Sequence, residues 1–140
     1  PSENSTRVYR GSRDNTALNA GDERFSADPA AVAALAYDAD LSGLIVLPTV
    51  TVHARHDPTV SYEAEAAYKA TVEHAGRGHL LLQALTDESD HSRLRDTTYV
   101  SALRVLEQWL DTGQRPAPAA FQDTCGHVSR RRDECRFIAP

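Results

Sequence analysis

The run from Leu44 to Val52 is apolar or β-branched at every position except Pro48, and it gives way to the polar turn His53-Ala54-Arg55-His56-Asp57-Pro58. A near-continuous apolar run without alternation is the mark of a parallel strand covered by helices on both faces. Proline cannot donate to a ladder, so the strand proper is expected at residues 49 to 53, with Pro48 at its entrance. Asp57 then falls just past the carboxyl end of a parallel strand, where open α/β sheets build their sites.

The chain around this strand reads as the remainder of an α/β unit. Residues 1 to 27 are rich in Ser, Asn, Asp and Arg without a sustained period, and are expected to be mostly loop. Asp28-Pro29 starts a short Ala-rich helix to Tyr37, with Asp as N-cap and Pro at the first helical position. After Asp57, Ser61 is expected to cap a helix from Tyr62 to Ala75, with Gly76 as its stop. Leu80 to Leu85 reads as a second buried strand, so that strand, helix and strand form a crossover with parallel strands. A polar loop, Thr86 to Arg95, carries His91. Asp96 or Thr97 then caps a helix to Asp111, with Tyr99, Val100, Leu103, Leu106 and Leu110 expected to face the sheet, Trp109 in the core, and Gly113 as the stop. Pro116 and Pro118 end the regular structure, and the rest is a tail.

Two parallel strands buried on both faces need neighbours on each side, so most of the core is expected from elsewhere. The chain of 140 residues starts at Pro1 and contains no Met, which reads as a fragment, a processed product or one chain of a cleaved precursor. With 15 Lys+Arg against 20 Asp+Glu, the net charge of −5 leaves no basic face suited to nucleic acid. No apolar run has the length of a membrane span. Cys125 and Cys135, ten positions apart, are either two free thiols or a disulfide in an oxidising compartment. The low apolar content of the tail favours the disulfide, and with it a secreted or periplasmic location.

Asp57 and His91 each follow one of the two expected strands, so parallel pairing brings both loops to one edge of the sheet. A carboxylate there can hold an imidazole in one tautomer and stabilise its protonated form, as a histidine general base requires. His53, His56, Asp57, His79 and His91 could instead gather a zinc ion. That reading is weaker, because His53 and His56 on a strand point to opposite faces. No metal and no cofactor is expected. Asp90 and the run Arg130-Arg131-Arg132 read as solvated surface, His53 as packing at the strand end, and His79 as lying at the edge away from the site.

The string Leu47-Pro-Thr-Val-Thr-Val-His-Ala-Arg-His-Asp-Pro-Thr-Val60 is followed in order by Ala67-Tyr-Lys-Ala-Thr-Val-Glu-His-Ala-Gly76 and Leu80 to Leu85. A loop histidine and the closing Trp109-Leu-Asp-Thr-Gly-Gln-Arg-Pro116 complete the series. In its order and spacing this series resembles the C-terminal part of a secreted α/β-hydrolase, over about residues 28 to 116. The resemblance implies that residues 41 to 116 are the C-terminal part of a doubly wound, mostly parallel sheet. Residues 1 to 40 would end a cap, lid or loop region, and residues 117 to 140 would form a disulfide-stapled tail.

The same resemblance implies Asp57 as the acid and His91 as the general base of a Ser-His-Asp triad. No G-x-S-x-G elbow occurs in the chain, so the serine would lie upstream, on an N-terminal chain of the same precursor. The bond cleaved would be an ester or amide in a small or polymeric substrate, and this chain alone would be inactive. The loop reads Ser-Asp-His-Ser where family members often place Gly before His. Two alternatives stand beside this reading: a non-catalytic binding or structural subunit on the same scaffold, and an acyltransferase.

Overall fold

The computed structural model describes residues 3–139, with the Arg132 side chain outside that description. The chain divides into two compact units, residues 1–40 and 41–140.

The first unit is held by polar side chains. Where a loop is expected, a helix α1 forms over Asn15–Gly21, capped by the Asp14 carboxylate accepting from the Ala17 N–H at 2.9 Å. It contributes no buried residue, so no apolar period announces it. Asn4 receives the Phe25 N–H and donates to Asp22 and to the Glu23 carbonyl, while Asn19 brackets both backbone groups of Tyr9. Arg24 donates to the carbonyls of Asn4, Arg7 and Asn19. Helix α2, Pro29–Ala39, starts as its sequence predicts, with Asp28 accepting from the Ala30 and Ala31 N–H groups.

The second unit is mixed α/β. Its three-stranded sheet has the order β1 (Thr49–Ala54), β2 (Leu81–Thr86), β3 (Phe137–Ile138), with β1 and β2 parallel and β3 antiparallel to β2. The expectation of a mostly parallel sheet is corrected by β3: the tail itself returns to pair with β2, and supplies one neighbour expected from elsewhere. A two-residue strand is too short to carry an alternation signal. The outer edge of β1 has no partner strand among the described residues.

Period-two alternation sorts the two long strands onto different layers. Val50, Val52, Leu82 and Ala84 pack with Ala102, Val105, Trp109 and Phe121, residues of α4 (Asp96–Thr112) and α5 (Ala120–Val128). Thr51 and Gln83, partners in register, reach from the opposite face to α3 (Glu63–His74), where both hydrogen-bond Glu65. The strand β1 is therefore half-buried rather than covered on both faces: its second face carries a hydrogen-bonded polar layer.

Helix α3 ends as expected. Gly76 takes φ +72°, with its N–H on the Glu73 carbonyl and the Arg77 N–H on that of Val72, a Schellman closure that favours glycine. Its start differs: Tyr62 is the N-cap and makes no side-chain cap bond, so Ser61 does not cap. Helix α4 spans its expected residues but presents another face. Thr98, Ser101, Ala102, Val105 and Trp109 are buried, whereas Tyr99, Val100, Leu103 and Leu110 are exposed. The helix is apolar around more than half its circumference, and two small polar residues sit inside the buried face. Thr97 and Arg95 also take roles the capping pattern does not predict: Thr97 donates to the Glu134 carbonyl, and Arg95 is an N-cap without a side-chain bond.

The tail beyond Pro118 is more ordered than expected. It forms α5, which buries Phe121 and Cys125, and Phe121 stacks on Phe137 at 5.4 Å between centroids. Cys125 and Cys135 are disulfide-bonded and tie α5 to the segment entering β3. Arg131 pairs with Asp133 and Glu134 at the surface, and Arg130 is exposed. Cys135→Ser is expected to lower unfolding stability by roughly 2.5 to 3 kcal/mol, the chain-entropy value for so short a loop. Denaturant melts of both proteins without reductant measure the difference, and coincident midpoints would contradict it.

Thr86 Oγ1, at the end of β2, is fully buried and has no hydrogen-bond partner among the described residues. An unpaired buried hydroxyl costs about 1 to 3 kcal/mol, and valine has nearly the same shape. Thr86→Val is therefore expected to raise the melting temperature; a lower one would mean that the hydroxyl has a partner in solution.

Candidate functional site

The site lies where β1 and β2 end. Register pairs Ala54 with Thr86, so the chain leaves both strands at the same edge, Asp57 three residues beyond one and His91 five beyond the other. The Asp57 N–H bonds the Ala54 carbonyl at 3.2 Å, which turns the chain back at once. The loops are joined by the Arg55 N–H on the Thr86 carbonyl and the His56 N–H on that of Glu88.

Within this frame His91 Nδ1 stands 2.8 Å from Asp57 Oδ2. The other carboxylate oxygen, Oδ1, accepts from the Thr59 and Val60 N–H groups at 2.7 and 2.9 Å. The Asp57 side chain is 3% exposed and that of His91 46%. Burial by itself would push the Asp57 carboxyl up. The Val60 N–H, the His91 hydrogen bond and the Thr59 N–H outweigh it and bring Asp57 down to about 2, from an ordinary 3.8. Asp57 is thus ionised and acceptor-only, so Nδ1 of His91 carries the hydrogen. In the neutral ring Nε2 then holds a lone pair, and it makes no hydrogen bond among the described residues.

A group lowered on folding adds stability above its unfolded value, and that contribution vanishes as pH falls through the folded value. For Asp57 the window runs from about pH 4 to about pH 2. Wild type should lose stability across that window more steeply than Asp57→Asn in acid-dependent urea melts; parallel curves would contradict the Asp57 geometry.

The His91 loop is braced on every side. Asp90 Oδ1 accepts from the Ser92 and Arg93 N–H groups, an Asx turn around His91 that holds the Asp90 carboxyl below its ordinary range. Asp87 pairs with Arg136, and its N–H bonds the Arg136 carbonyl, so the segment entering β3 anchors the loop. Glu88 accepts from the Thr98 hydroxyl and, at 3.3 and 3.4 Å, from the Arg95 N–H at the start of α4. The Tyr99 hydroxyl accepts from the Leu94 N–H and donates to the Ser92 carbonyl, which is why this ring stays at the surface.

Of the other histidines, His53 lies beside the pair, with Nε2 3.1 Å from the Val60 carbonyl and 3.7 Å from Asp57 Oδ2. His79 is exposed in the short turn before β2, and His56 is exposed in the β1 loop. Among the described residues no group of three His, Cys, Asp or Glu side chains is placed to hold a metal ion. No described helix is long and apolar enough to cross a membrane. Glu65 and Glu88 escaped the sequence reading, and Tyr99, expected to face the sheet, braces the His91 loop instead. The readable signal for Glu65 was Thr51, His53 and Gln83, three polar residues on one face of otherwise apolar strands.

The pair as it stands can accept a proton at Nε2, stabilise the resulting imidazolium on Asp57, and release it again. No protein-family profile, curated protein or solved structure matches this chain.

Proposed function

We propose that this chain supplies the acid and the general base of a Ser-His-Asp triad in a serine hydrolase of α/β-hydrolase type, with the serine on a segment outside these 140 residues. The observation that carries the reading is the 2.8 Å bond between His91 Nδ1 and the ionised Asp57, held at the ends of adjacent parallel strands. His91 Nε2 takes the serine proton as the oxygen attacks an ester or amide carbonyl. The imidazolium then returns that proton to the leaving alcohol or amine, and water repeats the cycle to free the acid.

Two further observations support a serine from elsewhere. No G-x-S-x-G occurs in the chain, and no described serine side chain hydrogen-bonds His91. The edge of β1, without a partner strand among the described residues, and the exposed Leu44, Val46 and Leu47 before it suit continuation of the sheet by another segment. The disulfide fits a secreted or periplasmic protein.

The test is turnover by the assembled protein on chromogenic esters and aminoacyl anilides, with and without an added nucleophilic acceptor. Release of chromophore together with free acid is expected. Acylated acceptor at the expense of free acid would make the enzyme a transferase, and an intact assembly that releases nothing would contradict the reading.

A further inference from the structure

We propose that His53 is a positioning residue for the Asp57–His91 pair, acting through the Val60 carbonyl; this rests on the hydrolase reading above. The Val60 carbonyl only accepts, so the 3.1 Å contact requires the hydrogen of His53 on Nε2. That bond pins the far end of the 57–60 turn, whose own N–H groups at Thr59 and Val60 fix Asp57 Oδ1. Val60 is thus held on both sides, its carbonyl by His53 and its N–H by Asp57, and the Oδ2 lobe is left facing His91 Nδ1. The same His53 N–H edge lies 3.7 Å from Oδ2, a distance too long for a hydrogen bond but of favourable sign.

The imidazole is itself seated. Its side chain is 12% exposed, and its Nδ1, an acceptor in this tautomer, lies 3.9 Å from Glu65 Oε1, beyond hydrogen-bond distance. Glu65 is fixed from both strands, its Oε2 accepting from the Thr51 hydroxyl at 2.6 Å and the Gln83 amide at 2.7 Å. Thr51 and His53 of β1 and Gln83 of β2 are half-buried polar residues on one sheet face, and Glu65 of α3 lies over that face. Hydrogen bonds fix Glu65 on the sheet, His53 stands on β1 beside it, and the His53 bond to the Val60 carbonyl reaches the turn bearing Asp57. Its function is to transmit the rigidity of the sheet to a carboxylate that sits on a loop.

Three substitutions separate the donor from the ring. His53→Phe keeps a ring and removes the N–H; His53→Asn keeps a donor too short to reach Val60; His53→Gln carries an amide nitrogen at about the reach of Nε2. Two readouts are taken on the assembled protein, whose fold is checked by circular dichroism: the His91 tautomer by long-range proton–nitrogen NMR, and kcat separately from KM.

In wild type, Nδ1 of neutral His91 should carry the hydrogen in nearly every molecule. His53→Phe and His53→Asn should shift most of the population to the Nε2 form and lower kcat about tenfold, with KM within twofold. His53→Gln should restore both readouts. Should His53→Phe fail to fold, His53→Asn against His53→Gln decides. Wild-type tautomer and kcat in His53→Phe and His53→Asn would overturn the proposal, as would His53→Gln behaving as badly as His53→Phe. If wild type itself turns over no substrate, the hydrolase reading fails, and the tautomer still reports whether His53 positions the pair.

Discussion

On the proposed triad, His91→Ala is expected to lower kcat of the assembled protein by a factor on the order of 10⁶, the loss found when the general base of such a triad is removed. The serine hydroxyl then has no acceptor for its proton, and the leaving group no donor. The fold should survive, because the His91 side chain is half-exposed and its one hydrogen bond among the described residues is to Asp57. The loop keeps its own supports at Asp87, Glu88, Asp90 and Tyr99. Steady-state kinetics beside a native-mass measurement of the assembly check this. Activity within tenfold of wild type in an intact assembly would remove His91 from the chemistry.

Asp57→Asn should cost about 10⁴-fold in kcat. Asparagine has the same shape, and its carbonyl oxygen can still accept from the Thr59 and Val60 N–H groups. Its amide nitrogen then faces His91 Nδ1 and donates to it, so the ring hydrogen moves to Nε2, where the base must be. The carboxylate is 3% exposed and turned to His91 and two backbone N–H groups, so KM should stay near wild type. A loss shared equally between kcat and KM, or a His91 ring still carrying its hydrogen on Nδ1, would mean that Asp57 does not set the tautomer.

The parts of the fold legible in the sequence are those in which one strong signal acts alone. β1 and β2 are short apolar runs ended by polar turns, and α3 stops at a glycine that adopts positive φ. Their order placed Asp57 and His91 at one sheet edge, since parallel strands joined by a helix must end together. What stayed hidden depends on partners distant in sequence. The buried face of α4 includes Thr98 and Ser101, and only contact with the sheet and α5 selects it over the leucine stripe beside it. α5 carries Gly126 and follows two prolines, and it is held by Phe121 and a disulfide rather than by its own propensity. β3 is two residues long and exists because β2 offers an edge. Around the site, the supports of Asp57 are backbone N–H groups and the supports of the His91 loop come from α4 and the segment entering β3. Neither kind leaves a spacing that can be read along the chain.

A fluorophosphonate applied to the assembled protein, kept non-denatured and non-reduced, reports directly on which serine His91 activates. Intact mass and peptide mapping of wild type and His91→Ala follow. One adduct is expected on a serine outside residues 1–140 in wild type, and almost none in His91→Ala, because an unactivated serine reacts slowly. An adduct on a serine of this chain, equal labelling of the two proteins, or no labelling of an intact assembly would contradict a triad shared between this chain and another segment.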